Sequence, residues 1–290
     1  MLTRTEVNQL LADHGLAPRR DLGQNFVADP NTVRRIARLA AVGPDDRVLE
    51  IGPGLGSLTL ALAETGAHVL AIEVDRGVVP VLRQIMADHP LVEVVEGDAM
   101  KLDWHLTLAA HAPWVLVANL PYNLATPLIC DLLDNVPEIE RMLVMVQREV
   151  GERICAAARA DAYGAVSVKV SYWAVARMIG TVPASVFVPR PKVESALVLI
   201  ERRGEPATDA PPGPLFHLVR TAFGQRRKML RRSLAELVAP DVFTAAGIDS
   251  QRRPEELDVH EWGALTHAWI AGTSDEIART HLGPGGDADR

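Results

Sequence analysis

Short apolar runs rich in β-branched residues alternate with longer helical stretches between residues 47 and 200. This alternation is typical of a parallel β-sheet in which crossover helices join successive strands. We predict strands at residues 47–51, 69–73, 92–96, 114–118, 142–146, 166–172 and 195–200. Crossover helices are expected at residues 57–64, 78–88 and about 104–109. The pattern therefore predicts an α/β fold.

A stretch rich in proline and glycine, residues 202–214, can continue neither a strand nor a helix. We interpret it as a linker to a second domain, with predicted helices at residues 214–224, 228–237, 240–246 and 259–271. The predicted organisation is an N-terminal helical segment over residues 1–46, an α/β domain over 47–203, an all-α domain over 204–272 and a flexible tail over 273–290.

The formal net charge of −7 does not exclude a nucleic-acid partner, because positive charge is concentrated locally. Residues 226–232 read Arg-Arg-Lys-Met-Leu-Arg-Arg, and phosphate binding depends on such clusters. Cys130 and Cys155 fit neither a metal-ligand pattern nor a disulfide framework. Because the sequence has no signal-peptide pattern and no transmembrane run, we expect a cytoplasmic protein with no metal site and no membrane contact.

A glycine-rich turn over residues 52–56, Gly-Pro-Gly-Leu-Gly, lies directly between a predicted strand and a predicted helix. Glycines have no Cβ and let the backbone approach a nucleoside, and the helix that follows offers unpaired N–H groups. A dinucleotide fingerprint needs glycines at its first, third and sixth positions, but the sixth residue from Gly52 is Ser57. The spacing favours S-adenosylmethionine over a nicotinamide.

Two carboxylates follow the next two predicted strands. Glu73 ends the second strand, where a carboxylate can accept both hydroxyls of a ribose. Asp98 follows the third strand, where its carboxylate can accept from an adenine amine. Each also has a structural interpretation, because Glu73 with Asp75 can cap the next helix and an aspartate after a strand is usually a cap.

Asn119-Leu120-Pro121-Tyr122 follows the fourth strand and is the most informative stretch of the sequence. An exocyclic adenine amine is a poor nucleophile, so methyl transfer needs fixed acceptors for both of its N–H groups. The side-chain oxygen of Asn119 and the carbonyl of Leu120 or Pro121 can supply them. Tyr122 can stack on a base that has left its own stack. The alternative is an ordinary turn at a strand end, which Asn and Pro also favour.

Phe187 begins a proline-stiffened loop, residues 187–195, that enters the last predicted strand. Its ring can clamp a base from the face opposite Tyr122. It can equally be a buried anchor for the loop, and the residues alone leave both interpretations open.

Residues 21–26 (Asp-Leu-Gly-Gln-Asn-Phe), the glycine turn, residues 119–122 and residues 187–195 occur in this order. With these motifs the chain resembles the ribosomal RNA adenine dimethyltransferase family over nearly its whole length. The likeness is greatest to the bacterial small-subunit branch, which dimethylates two adjacent adenosines near the 3′ end of 16S rRNA.

The resemblance implies a Rossmann-like class I methyltransferase sheet, with the last of the seven strands antiparallel, followed by a small C-terminal all-α domain. It implies S-adenosylmethionine as cofactor, 16S rRNA in the immature small ribosomal subunit as partner, and a role in ribosome biogenesis. We expect a monomer, and we expect the N-terminal segment to contribute to the cofactor site.

Carried over residue by residue, the resemblance also assigns the site. Cofactor contacts are expected at Asn25, the Val27 backbone, Gly52, Gly54, Glu73, Asp98, Ala99 and Asn119. The target base is expected at Asn119, Leu120, Pro121, Tyr122 and Phe187, and the RNA at Arg226, Arg227, Lys228 and Arg231. Val27 replaces the family's usual Leu, and Leu124-Ala125-Thr126 replaces Ile-Ser-Thr, but neither change removes a polar contact.

Three other functions stay open on the sequence. One is the large-subunit adenine methyltransferase that confers macrolide resistance, whose motif usually has Ile where Leu120 stands. Another is a non-catalytic RNA-binding assembly factor that keeps the fold without the reaction. The third is a nicotinamide oxidoreductase, against which the glycine spacing already argues.

Overall fold

A computed structural model describes residues 1–108 and 113–272. These residues form two compact units, the first from residues 1–152 and 175–202, the second from residues 153–174 and the described residues from 203 onwards. The end of the third expected crossover helix, at residue 109, and the expected tail over 273–290 lie outside the described residues.

The strands are β1 (Phe26–Val27), β2 (Arg47–Ile51), β3 (His68–Glu73), β4 (Val92–Glu96), β5 (Trp114–Asn119), β6 (Ile139–Gln147), β7 (Ala174–Val182), β8 (Phe187–Val188) and β9 (Ser195–Arg202). The α-helices are α1 (Arg4–Asp13), α2 (Pro30–Ala40), α3 (Ser57–Ala63), α4 (Val79–Ile85), α5 (Trp104–Leu108), α6 (Ala125–Asn135), α7 (Arg148–Cys155), α8 (Ala165–Trp173), α9 (Pro212–Gly224), α10 (Leu230–Ser233), α11 (Pro240–Ala245) and α12 (Val259–Gly272).

The main sheet has seven strands in the order β4-β3-β2-β5-β6-β9-β7. Strands β2 to β6 pair in parallel, and β9 pairs antiparallel with β6. The parallel β2–β6 portion follows from the crossover helices, which return the chain to the same edge of the sheet. The predicted Rossmann-like sheet and its antiparallel last strand are confirmed.

The N-terminal segment begins with two capped helices. In α1, Thr3 and Glu6 form a capping box, and in α2 the Asp29 side chain accepts from the backbone N–H of Thr32. Such caps satisfy N–H groups that a helix start leaves unpaired. Between these helices, β1 forms a short antiparallel pair with β8, apart from the main sheet.

The second unit has an aromatic core of its own. Tyr163, Tyr172, Phe216, Trp262 and Trp269 belong to one buried cluster. Tyr172 contacts the Phe216 ring edge-on at 5.2 Å and donates its hydroxyl to the Ala210 carbonyl at 2.8 Å. Aromatic pairs of this kind stabilise a small domain beyond the area they bury.

One strand prediction was wrong: residues 166–172 form most of helix α8 and belong to the second unit. The β-branched alternation favours a strand locally. However, Val168 and Tyr172 are four residues apart and both join the second unit's core, which requires helical spacing. The prediction missed β7 of the main sheet, where Arg177 and Gly180 interrupt the apolar pattern, and the short strands β1 and β8.

Among the described residues, no helix combines the length and apolar character needed to span a membrane.

Candidate active site

A cavity in the first unit opens where the carboxyl ends of the parallel strands meet. This edge of an α/β sheet is where such folds bind their ligands. The cavity is lined by residues 22–27, 50–55, 57–58, 72–74, 97–100 and 119–122, together with Val7, Leu124 and Leu128. All residues predicted to contact the cofactor therefore line one cavity, together with residues 119–122 of the reaction motif.

The glycine turn brings its backbone close to a side chain of the N-terminal segment. Gly54 has φ +58°, and a Cβ built on it would lie 2.8 Å from the Phe26 ring. Its N–H donates to Oε2 of Glu73 at 2.9 Å. A side chain at this position would be strained and would clash with the segment preceding α2.

Glu73 is buried and does not cap α4, whose start has no side-chain cap hydrogen bond. Its carboxylate accepts from the N–H of Gly54 and the N–H of Asp75, each at 2.9 Å, and it lines the cavity. Burial raises the pKa of this carboxyl, although the two hydrogen bonds act in the opposite direction. Each carboxylate oxygen keeps a further acceptor position, so a ribose can still bind here.

Asp98 likewise stabilises its own turn while lining the cavity next to Ala99. Its Oδ1 accepts from the Met100 N–H at 3.0 Å, and its Oδ2 forms an ion pair with Lys101 at 3.3 Å. Met100 and Val74, which also line the cavity, are exposed apolar side chains. Apolar surfaces beside a carboxylate suit a flat purine with a polar edge.

Glu50 is a cavity residue that the sequence analysis missed. Its side chain is 1% exposed, and among the described residues its Oε2 has no hydrogen-bond partner. Burial raises the pKa of this carboxyl from 4.5 to about 8. The available signal was a carboxylate between the apolar residues Leu49 and Ile51 of strand β2.

Asn119 ends β5 with a fixed amide orientation. Its Nδ2 donates to the backbone carbonyl of Asn25 at 3.1 Å, and the Asn25 side chain donates to the Gly23 carbonyl at 3.0 Å. Because a carbonyl only accepts, the atom of Asn119 facing it must be the nitrogen. The Asn119 Oδ1 is therefore directed away from Asn25 and stays available as an acceptor.

The two candidate carbonyls of the reaction motif differ. The Pro121 carbonyl accepts from the N–H groups of Leu124 and Ala125, each at 3.0 Å, at the start of α6. The Leu120 carbonyl accepts no hydrogen bond from the described part of the chain, although the Leu120 N–H donates to Met145. The second acceptor is thus better supplied by Leu120 than by Pro121.

Phe187 is not brought into the cavity. Its ring is fully buried in a hydrophobic cluster with Val27, Val33, Val182 and Leu197. The β1–β8 pairing, with Val27 opposite Phe187, directs the ring into this core. The buried-anchor interpretation describes this arrangement, and the expected clamp on a base does not.

The basic residues 226–232 form a turn and a short helix instead of one continuous helix, which corrects the helix predicted over residues 228–237. Arg226 donates to the Asp161 carbonyl at 2.9 Å and is held within the second unit. Arg227, Lys228 and Arg231 are exposed. Among the described residues, no side-chain hydrogen bond or ion pair engages these three.

The sheet order, the antiparallel β9 and the glycine-lined cavity define a class I methyltransferase. The family model for "Ribosomal RNA adenine dimethylase" matches residues 15–277. The chain therefore belongs to the ribosomal RNA adenine dimethylase family, whose members are adenine-methylating enzymes.

Curated relatives and solved structures agree with this family. A ribosomal RNA small subunit methyltransferase A from Thermobifida fusca is 43% identical over 91% of this chain and 95% of its own. The protein of the same name from Streptomyces coelicolor is 44% identical over 91% and 96%.

Two crystal structures show the same fold. The dimethyladenosine transferase of Plasmodium falciparum has a TM-score of 0.71 at 24% identity, covering 83% of this chain and 95% of that one. The 23S rRNA methyltransferase ErmE has a TM-score of 0.65 at 26% identity, covering 85% and 100%.

Proposed function

We propose that this enzyme uses S-adenosylmethionine to dimethylate the exocyclic amines of two adjacent adenosines near the 3′ end of 16S rRNA. The relatives at 43% and 44% identity carry the small-subunit name, which supports this substrate over large-subunit RNA. The observation that carries the chemistry is the pair of free acceptors, Asn119 Oδ1 and the Leu120 carbonyl, at one end of the cavity.

The cavity fits S-adenosylmethionine by its donor and acceptor set. Glu73 and Asp98 offer carboxylate acceptors to a ribose and an adenine amine, and the glycine turn lines the same cavity. Glu50, a buried carboxylate with an unpartnered oxygen, suits a ligand that carries positive charge. When bound, the cofactor supplies a methyl group activated by a sulfonium.

Asn119 and Leu120 act on the amine of the target base. Two fixed acceptors hold its two N–H groups, so that the nitrogen lone pair is withdrawn from conjugation with the ring and can form the new N–C bond. The acceptors are in place before the base arrives, so little reorganisation is needed at the moment of reaction. After transfer, the extra proton on the nitrogen is released to water, and no general base is required.

Tyr122 offers a ring face to the extruded base, and the exposed Arg227, Lys228 and Arg231 offer charge to RNA phosphates. We place the enzyme as a monomer in the cytoplasm, acting on immature small subunits during ribosome assembly. Its free cysteines are consistent with a reducing compartment.

Methyl transfer by an Asn119→Ala variant tests the proposal. We expect incorporation of tritiated methyl groups into immature small subunits to fall at least about a hundredfold, because one transition-state acceptor is removed. RNA affinity should stay within about twofold. Asn135→Ala, at the far end of α6, is the matched control and should keep normal activity.

Undiminished transfer by Asn119→Ala would refute the assigned role of this residue. Absence of transfer by the unaltered enzyme on immature subunits, mature subunits and naked RNA would instead favour a non-catalytic assembly factor. Preferential binding of NAD over S-adenosylmethionine would point to an oxidoreductase.

A further inference from the structure

A hydrogen bond joins the reaction motif to the last strand of the sheet. The hydroxyl of Tyr122 lies 3.1 Å from Oγ of Ser195, the first residue of β9. Ser195 is fully buried and pairs with Gln147 of β6. Tyr122 is partly buried and lines the cavity.

The buried Ser195 hydroxyl depends on Tyr122 for its hydrogen bond. A buried hydroxyl without a hydrogen bond is costly, whereas an alanine at the same sheet position would have no such cost. Within the described ranges, the Ser195 side chain has no other hydrogen-bond partner than the Tyr122 hydroxyl. The polar character of this buried position is therefore explained by its contact with the ring.

The contact fixes the ring at both of its ends. The Tyr122 backbone is held between β5 and α6, while the hydroxyl is attached to β9 in the interior of the sheet. A stacking surface ordered before its ligand arrives loses less conformational freedom on binding. Burial raises the pKa of the phenol above its usual value.

We propose that Ser195 is a positioning residue for methyl transfer, whose hydroxyl holds the Tyr122 ring in the orientation that receives the extruded adenine. This inference rests on the proposed function, in which Tyr122 stacks on the target base. Ser195 itself touches neither the base nor the cofactor in this account.

A double-mutant cycle with Tyr122→Phe and Ser195→Ala tests the inference. Each single variant should lower kcat about tenfold with the KM for RNA within about twofold, because phosphate contacts dominate RNA affinity. The double variant should be no slower than either single one, because both remove the same hydrogen bond. Ser195→Thr retains the hydroxyl and should recover most of kcat.

A fluorescence measurement separates positioning from a general structural effect. The fluorescence of 2-aminopurine at the target position of the RNA should be quenched by stacking on Tyr122 in the unaltered enzyme. With Ser195→Ala the fluorescence should be higher. Thr266→Val, which removes a buried hydroxyl from α12, is the control and should leave kcat and fluorescence unchanged. If Ser195→Ala does not fold, Tyr122→Phe alone should show the lower kcat and the higher fluorescence.

Multiplicative losses in the double variant, or unchanged quenching with Ser195→Ala, would overturn the positioning role. That outcome is distinguishable from failure of the proposed function, because Asn119→Ala would still be inactive. An active Asn119→Ala would instead contradict the proposed function and, with it, the positioning role of Ser195.

Discussion

At the scale of single residues, the cavity contains two carboxyl groups that the fold buries. Glu50 and Glu73 are both buried, and burial raises the pKa of each. Glu73 offsets this cost with two backbone hydrogen bonds, whereas one oxygen of Glu50 has no partner among the described residues. Such a group destabilises the ligand-free protein and favours binding of a cationic ligand.

Glu50→Gln should make the protein more stable at pH 8 than the unaltered chain, with less difference at pH 5. The folded protein raises the pKa of Glu50 from 4.5 to about 8, so its protonated form is favoured by folding. The stability that this gives at low pH is lost as the pH rises through that range, and the amide avoids the loss. Urea unfolding should show a gain of roughly 4 kcal/mol at pH 8 and of about 1 kcal/mol at pH 5.

The exposed Glu140 provides the matched control, and Glu140→Gln should show no pH-dependent gain. Equal stability of Glu50→Gln and the unaltered protein at both pH values would contradict a raised pKa for this buried carboxyl.

At the scale of elements, α6 follows the reaction motif and is held in place by one side chain of β9. The Arg202 guanidinium donates to the carbonyls of Leu132, Leu133 and Val136 at the C-terminal end of α6, at 2.9–3.1 Å. It also donates to the Ile139 carbonyl at 3.0 Å. The Leu132 and Val136 carbonyls also accept from the N–H groups of Val136 and Ile139. The Arg202 bonds add a second donor to these carbonyls and supply one to Leu133, and they fix α6 against β6 and β9.

Arg202→Met should lower the free energy of unfolding by roughly 2–3 kcal/mol, because four partly buried hydrogen bonds from the guanidinium are lost. Arg202→Lys should recover only part of it, since an ammonium lacks the planar fork. Arg177→Met is the control: this exposed arginine pairs with Glu201, and its removal should cost less than about 1 kcal/mol. Equal effects of Arg202→Met and Arg177→Met in urea unfolding would contradict the capping role.

The sequence pattern predicted most elements but failed where tertiary contacts override local preference. Strands β2, β3, β5, β6 and β9 have short apolar runs because most of their residues are buried in the sheet. Helix α8 was misassigned because its β-branched residues pack in the second unit's core at helical spacing. The edge strand β7 was missed because only its two end residues are buried and the residues between them have no apolar period to detect.

The site was likewise predictable where it depends on residue type and order, and not where it depends on tertiary contacts. Residue type and order located the cavity walls at Gly54, Glu73 and Asp98, because the carboxyl ends of parallel strands meet. The choice between the Leu120 and Pro121 carbonyls required the hydrogen bonds at the start of α6. The burial of Phe187 depends on the β1–β8 pairing, which sequence periodicity does not reveal.

At the scale of the whole molecule, a chain with net charge −7 needs a local positive surface to bind RNA. The second unit provides it at the turn between α9 and α10, where Arg227 and Lys228 are exposed. Arg226 in the same turn also supports the unit itself through the Asp161 carbonyl and Glu255. Arg227 and Lys228 are therefore available to RNA, whereas Arg226 also stabilises the second unit.

The double variant Arg227→Glu and Lys228→Glu should weaken RNA binding and reduce its salt dependence, because counterion release scales with the number of phosphates neutralised. The slope of log affinity against log salt should fall by roughly one for each phosphate that the variant no longer neutralises. Arg34→Glu with Arg38→Glu, on the exposed face of α2, makes the same charge change as a control. An unchanged slope would show that the basic turn is only a solvated surface.

Primer extension across ribosomal RNA from cells lacking this gene tests the central claim most directly, because dimethylated adenines stop reverse transcriptase. We predict that two adjacent stops near the 3′ end of 16S rRNA disappear, return with the unaltered gene, and do not return with Asn119→Ala. Return of the stops with Asn119→Ala, or disappearance of stops in 23S rRNA instead, would contradict it.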